Sequence, residues 1–478
     1  MKPGRKVRGS VLIDSDGSGS RRSILGEPLG PADRFLLLVD RDLRRRGFTG
    51  FQAALAVELD GAFDDAMRNR LAAALAGIAA DEPRARARLG RRAGIGPLRL
   101  LAPKRAIESS APPLIDLDPS RADGSAIETV ALERMALPLD PSREPLFDLA
   151  LARGRDVTRL VLRWWHPAFD ERGAELLIRA LSRRFAGEPP AAPSALPSPT
   201  AGLPFRARHV ASRRAIARLN RLTQAAPFEL PAASSADAAS TRGWQLDVER
   251  LDETTTRQFL AASDAHFGLR GEGLAQIAAL FHALAEEAEH SSGGLVAATA
   301  DKELSLPITV QLRPPRASGP LFANALLFLA DAAKVGAARD RAGLAAALRS
   351  AAKRRIADGE EVDAAALLEF GRFLPLGRYQ RELFRSDGSP RFSAHPSTLG
   401  EMFAGARELF GRPLLDALAF TAFPARPGLG VVFSRAAGRL RVATIHARGI
   451  VDSAAARRLH DRVVAELRLQ AGATLSAP

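Results

Sequence analysis

His166 and Asp170 stand four residues apart in RWWHPAFDERGAELL (163–177). A neutral imidazole is the side chain best suited to take a proton at neutral pH, and a carboxylate nearby can orient it. The spacing alone is also satisfied by a polar strand end followed by a helix cap, with Asp170 as the cap residue. The remaining chemistry is sparse. The sequence has no cysteine, which excludes disulfides, thiolate nucleophiles and thiolate metal sites. It has no GxSxG, HExxH or GxxxxGK[ST] motif, and GIGPLRL (94–100) lacks the spacing of a dinucleotide-binding loop. The histidines are too scattered to suggest a metal site. His209, His290 and His460 lie among charged residues and read as surface groups. His266 and His282 fall in helical patterns, His446 in a strand, and His395 before Pro396 in a loop.

The pattern around the pair supplies a scaffold. TRLVLRWWH (158–166) alternates as a strand, with Leu160, Leu162, Trp164 and His166 on one face and Val161, Arg163 and Trp165 on the other. The next segment, 170–187, carries Ala174, Leu177, Ile178, Leu181 and Phe185 at helical spacing, with Gly187 placed to end the helix. Further strands are expected at 50–61, 97–103 and 146–154, and a helix over 63–83. In the second half the expected strands are 243–251, 306–314, 322–330 and a hairpin over 428–449. The expected helices there are 252–267, 272–290, 338–357 and 453–468. The elements mix without a strict βαβ rhythm, which favours an α+β fold.

At 478 residues the chain is long enough for more than one core. Residues 1–30 read as a flexible basic tail, and 31–187 as a first subdomain carrying the HxxxD pair. EPPAAPSALPSPTAGLP (188–204), with six prolines, reads as a linker, and 205–474 as a second subdomain. The net charge of +14 comes largely from arginine spread over alanine-rich helices, and with a single tyrosine nothing interleaves aromatic and basic residues. Nucleic acid is therefore not an expected partner. No apolar run approaches the roughly 20 residues of a membrane span, and the N-terminus lacks the apolar core of a secretory signal. A cytoplasmic location is expected.

The order of these elements resembles the superfamily of thioester-dependent acyltransferases with an HHxxxDG signature. That group includes chloramphenicol acetyltransferase, peptide-synthetase condensation domains, and wax-ester and alcohol acyltransferases. His166 falls on the second histidine and Asp170 on the aspartate. PADRFLLLVDR (31–41) resembles the opening helix of the group. DEPRARARL (81–89) resembles its HxxLRxxF region, with Arg86 at the arginine that pairs with the motif aspartate. STLG (397–400) resembles a short stretch facing the active-site tunnel, and the segment 428–449 resembles the closing hairpin. Two positions depart: Trp165 replaces the first histidine, and Glu171 replaces the glycine after the aspartate.

The resemblance implies two chloramphenicol acetyltransferase-like subdomains in a V-shaped pseudo-dimer with a central tunnel. It implies transfer of an acyl group from coenzyme A or a phosphopantetheinyl carrier protein acting in trans. The acceptor is a hydroxyl or amine on a small molecule or lipid, which places the chain in secondary or lipid metabolism. His166 is then the general base, Asp170 a structural residue paired with Arg86, and Ser397 a donor to the developing oxyanion. No metal or tightly bound cofactor is implied, the acyl thioester being a co-substrate. The alternative from another class is a catalytically degenerate binding or interaction protein on the same scaffold.

Overall fold

The computed structural model describes residues 27–91, 98–102, 111–189, 196, 198–234, 242–268, 271–294, 296–313, 321–371, 373–375, 377–378, 384–385 and 387–472. The expected basic tail, apart from its last four residues, and much of the proline-rich stretch (190–195 and 197) lie outside the described residues.

Strand Val157–Trp165 is the spine of the first half. It is central in a six-stranded sheet and buried along all but its first residue. Gln52–Asp60 pairs antiparallel on one side, with Gln52 opposite Trp165, and Phe147–Arg153 pairs antiparallel on the other. Burial on both faces explains why Gln52–Asp60 is more uniformly apolar than an alternating strand. Helix Glu171–Phe185 follows the spine and lays Ala174, Leu177, Ile178, Leu181 and Phe185 on the core. Helix Asp65–Asp81 is started by Asp64, whose carboxylate accepts from the Met67 amide at 2.7 Å.

The sheet is completed from the far end of the chain. Arg412–Thr421 pairs antiparallel with Gln52–Asp60, and Glu408–Leu409 forms the edge beyond it. Phe403, Phe410, Ala417 and Ala419 enter the same apolar core as Leu55, Val57 and Leu162. The second half has its own four-stranded sheet, in the order His395–Glu401, Leu429–Ala436, Arg439–Arg448, Gly243–Arg250. Helices Glu253–Phe267, Gly271–Ser291 and Ser453–Gly472 bury a second core against it. Ion pairs tie the halves: Arg250 reaches Glu128 of the first half at 2.8 Å and Asp416 at 3.0 Å. The architecture is α+β, with mostly antiparallel sheets and helices outside them.

One expected strand is displaced. Leu326–Lys334, not 322–330, pairs with Glu303–Gln311. The backbone of residues 321–325 is used instead against the loop that carries His166.

Candidate functional site

The spine strand ends at Trp165, and His166 opens a short 3-10 turn, His166–Ala168. Its amide donates to the Phe51 carbonyl at 2.9 Å, so the neighbouring strand fixes where the turn begins. His166 is buried, 4% exposed as a residue, with the Phe51 ring centroid 4.7 Å from the imidazole. Trp164, stacked on Phe169, donates its indole N–H to the Phe169 carbonyl at 2.8 Å and so braces the loop from within.

Asp170 caps helix Glu171–Phe185, accepting from the Gly173 amide at 2.7 Å. Its carboxylate has further partners. Arg313 donates through Nη1 to both oxygens, at 2.6 Å to Oδ2. The Ala325 amide adds a bond at 2.9 Å and Gln311 Nε2 a longer one at 3.4 Å. Both members of the ion pair are essentially inaccessible, with side chains 1% and 0% exposed. Arg313 in turn donates to the Ala323 carbonyl at 2.6 Å. Asn324 bridges Asp33 of the opening helix and the carbonyl of Pro167, at 3.0 Å each. The loop 166–170 is thus clamped by Gln311, Arg313 and residues 323–325 of the second half.

The pairing of Asp170 with Arg86 is therefore corrected. Arg86 closes the 3-10 turn Pro83–Arg86 and directs Nε back to the Ala79 carbonyl at 2.6 Å. That turn sends Arg84 toward the site, where it donates to the Phe322 carbonyl. A buried carboxylate requires a cation, and here the strand end after Gln311 supplies it. Arg313 was legible only as the one cation in ELSLPITVQLR (303–313), standing where that apolar run gives out.

Gly173 permits this clamp. A Cβ at Gly173 lies 2.5 Å from the Leu321 carbonyl oxygen and 3.2 Å from Asp170 Oδ1. Gly173→Ala is expected to push residues 321–325 off the helix start and to destabilise the protein by about 1–3 kcal/mol, the usual range for overpacking. Denaturant melts check this, and stability equal to the wild type contradicts it.

Glu171, the other departure from the motif, meets the histidine directly. Its Oε1 lies 3.2 Å from His166 Nε2, with side chains 11% and 5% exposed. His166 Nδ1 is buried without a hydrogen-bond partner among the described residues. Burial is the largest influence on His166 and favours the neutral ring. The charge and hydrogen bond of Glu171, helped by the ring's approach to its own backbone and then by Asp170, outweigh it and raise the pKa above its ordinary 6.5. Burial is also the largest influence on Glu171 and favours its neutral acid. His166, a backbone hydrogen bond and the charge of Arg313 outweigh it and hold the carboxyl below its ordinary 4.5. The stabilisation from a raised His166 is fully present below 6.5 and is lost as pH rises through the folded value. That from a depressed Glu171 is present above 4.5 and is lost as pH falls through its folded value. The pair therefore contributes most between pH 4.5 and 6.5.

Trp165 is fully buried in the same core as Trp164, held by packing, and its indole N–H has no partner among the described residues. Trp165→His, which restores a double histidine, is expected to cost about 3 kcal/mol, at the low end for truncating a buried aromatic. Turnover at a temperature where the variant stays folded should change little. A large gain in turnover identifies Trp165 as an obstruction.

Ser397 sits on the edge strand His395–Glu401, opposite Val432, partly buried and not in a turn. Its hydroxyl makes no hydrogen bond among the described residues. No cluster of His, Asp or Glu suited to a metal ion occurs among the described residues, and none of the described helices is long and apolar enough to cross a membrane.

Solved structures share this arrangement over nearly the whole chain. The first condensation domain of the calcium-dependent antibiotic synthetase superposes with a TM-score of 0.65 at 16% identity, covering 94% of this chain and 97% of that one. The chain has the condensation-domain fold, shared with chloramphenicol acetyltransferase-like proteins. A trichothecene 15-O-acetyltransferase from Fusarium sporotrichioides superposes with a TM-score of 0.67 at 11% identity, over 93% of this chain and 95% of that one. The epimerization domain from the third module of tyrocidine synthetase B gives 0.59 at 14% identity, over 94% and 97%. No family model matches the sequence, and no curated protein matches it.

Proposed function

We propose that the protein transfers an acyl group from a thioester to a nucleophilic acceptor, with His166 as the general base. The donor in this proposal is an acyl-coenzyme A or an acyl group on a phosphopantetheinyl carrier protein acting in trans. The acceptor is a hydroxyl or amine on a small molecule or lipid, and the setting is the cytoplasm. The observation that carries the proposal is a buried histidine at a strand end whose loop is fixed by the Asp170–Arg313 pair. A base held in this way removes the acceptor proton as the acceptor attacks the thioester carbonyl, and typically contributes about 10²–10⁴ in rate. The bond to the acceptor forms, the C–S bond breaks, and the thiolate leaves with the proton carried by His166. No cysteine is present to form a thioester intermediate. Asp170 and Arg313 act by position, and Ser397 serves as donor to the oxyanion.

Incubation with a panel of acyl-coenzyme A donors and acceptors, reading free thiol, tests this. Thiol release that depends on acceptor and on His166 supports it, and its absence from every donor and acceptor pair counts against it. The rival reading, a binding protein on the same scaffold, is favoured by one observation: Glu171 occupies Nε2, one of the two nitrogens through which the imidazole can act as a base. The pH profile separates the two. In the transfer proposal kcat/KM rises with pH through the raised His166 pKa, and Glu171→Gln moves that rise to lower pH. An unshifted profile means that Glu171 does not govern the base.

A further inference from the structure

The contact between Glu171 and His166 constrains what the acceptor is. With Nε2 turned to a carboxylate 3.2 Å away, the proton of the resting site lies between the two groups, and Nε2 has no lone pair for an acceptor. Releasing that proton to solvent leaves a largely buried carboxylate without its cation. Among the described residues the neighbouring charges do not offer a substitute. Arg313 is already bonded to Asp170. Arg84 is turned to the Phe322 carbonyl and influences Asp33, whose carboxyl also accepts from Asn324 and the Gly30 amide. Nδ1 is buried, and an alcohol approaching Nε2 brings no charge, so it meets either the proton on Nε2 or a Glu171 that has lost that hydrogen bond. A primary ammonium brings the missing cation itself.

We infer that Glu171 selects amine acceptors, taking the acceptor ammonium in place of the His166 imidazolium and so freeing His166 as the base. This inference rests on the transfer reading above and specifies its acceptor. On binding, the resting imidazolium gives one proton to solvent and the ammonium pairs with Glu171. Neutral His166 then takes a proton from the ammonium, and the free amine attacks the thioester carbonyl. The C–N bond forms, the C–S bond breaks, and the departing thiolate takes the proton from His166. The nitrogen of the new amide loses its extra proton to Glu171, which passes it to His166 and restores the resting pair. Ammonium and thioester thus give amide, thiol and one proton, and no oxidant or reductant is needed.

The experiment compares primary amines with alcohols of the same carbon skeleton, from butyl to dodecyl and benzyl, in two arms. The first is calorimetric titration of the free protein in buffers of different ionisation enthalpy, which needs no turnover. Amine binding should release about one proton per amine bound at pH 6, the alcohols none, and Glu171→Gln should abolish the release while keeping the fold. The second arm is transfer from acetyl-, hexanoyl- and palmitoyl-coenzyme A. The amine should exceed its matched alcohol in kcat/KM by about thirtyfold or more, the low end of what a desolvated charge partner contributes. Glu171→Gln should cut that ratio at least tenfold, chiefly through KM for the amine. Binding without proton release, no amine binding across the panel, or a ratio unchanged in Glu171→Gln overturns the inference. Transfer that depends on His166 but prefers alcohols overturns it and leaves the transfer reading standing. Proton-coupled amine binding without transfer from any donor keeps the Glu171 site and removes the transfer reading.

Discussion

His166→Ala is expected to lower acyl transfer by about 10²–10⁴, the usual contribution of a positioned base, while the melting temperature stays near that of the wild type. The ring's aromatic contacts in the core are those with Phe51 and Trp164. Once the imidazole is gone, burial favours the neutral acid of its partner Glu171, so the variant is left with no unpaired buried charge. Steady-state thiol release and a thermal melt on the same preparation separate the two effects. A melting temperature that falls with activity assigns His166 a structural role instead.

The opposite division is expected one turn on. Asp170→Ala leaves Arg313 buried and charged without its carboxylate, and Arg313→Ala leaves Asp170 in the same position. Each should destabilise the protein by about 3–5 kcal/mol, the cost of breaking a buried pair from one side. Activity should fall with it, since the loop carrying His166 loses its clamp to Arg313 and residues 323–325. The double variant should lose much less than the sum of the singles, because the orphaned charge is gone. Urea melts of the three variants check this, and additive losses contradict direct coupling. Arg86→Ala leaves Asp170 paired.

The site was legible in the sequence where it is local. An alternating strand, a histidine at its end and an acidic cap opening an amphipathic helix are all contained in 158–187, and the structure follows that pattern closely. What escaped is what the chain brings from a distance. Arg313 lies 143 residues from Asp170, and no periodicity marks it as the partner. The strand at 326–334 starts late because Ala323 and Ala325 give their backbone groups to Arg313 and Asp170, a use of backbone that hydrophobic pattern does not report. Phe205–Leu222 and Glu360–Gly371 were not expected as helices. They pack on one another through small residues and arginine–carboxylate pairs such as Arg214 with Asp363, so their apolar stripe is weak. His460 read as a surface residue because arginines and aspartates flank it. Its helix turns it inward between Leu459 and Val463, where it meets Thr444 at 3.0 Å. Glu171 was visible only as a substitution in a motif, and its contact with Nε2 gives that substitution a chemical meaning.

Acyl transfer with His166 as base is tested most directly by a single-turnover reaction with enzyme in excess over an acyl-coenzyme A. Thiol, acylated acceptor and the intact mass of the protein are followed together. Acyl transfer with His166 as base predicts one acylated acceptor per thiol released, no acyl adduct on the protein at any time, and neither product with His166→Ala. Equal product formation by His166→Ala, or an acyl group accumulating on the protein before product appears, contradicts it.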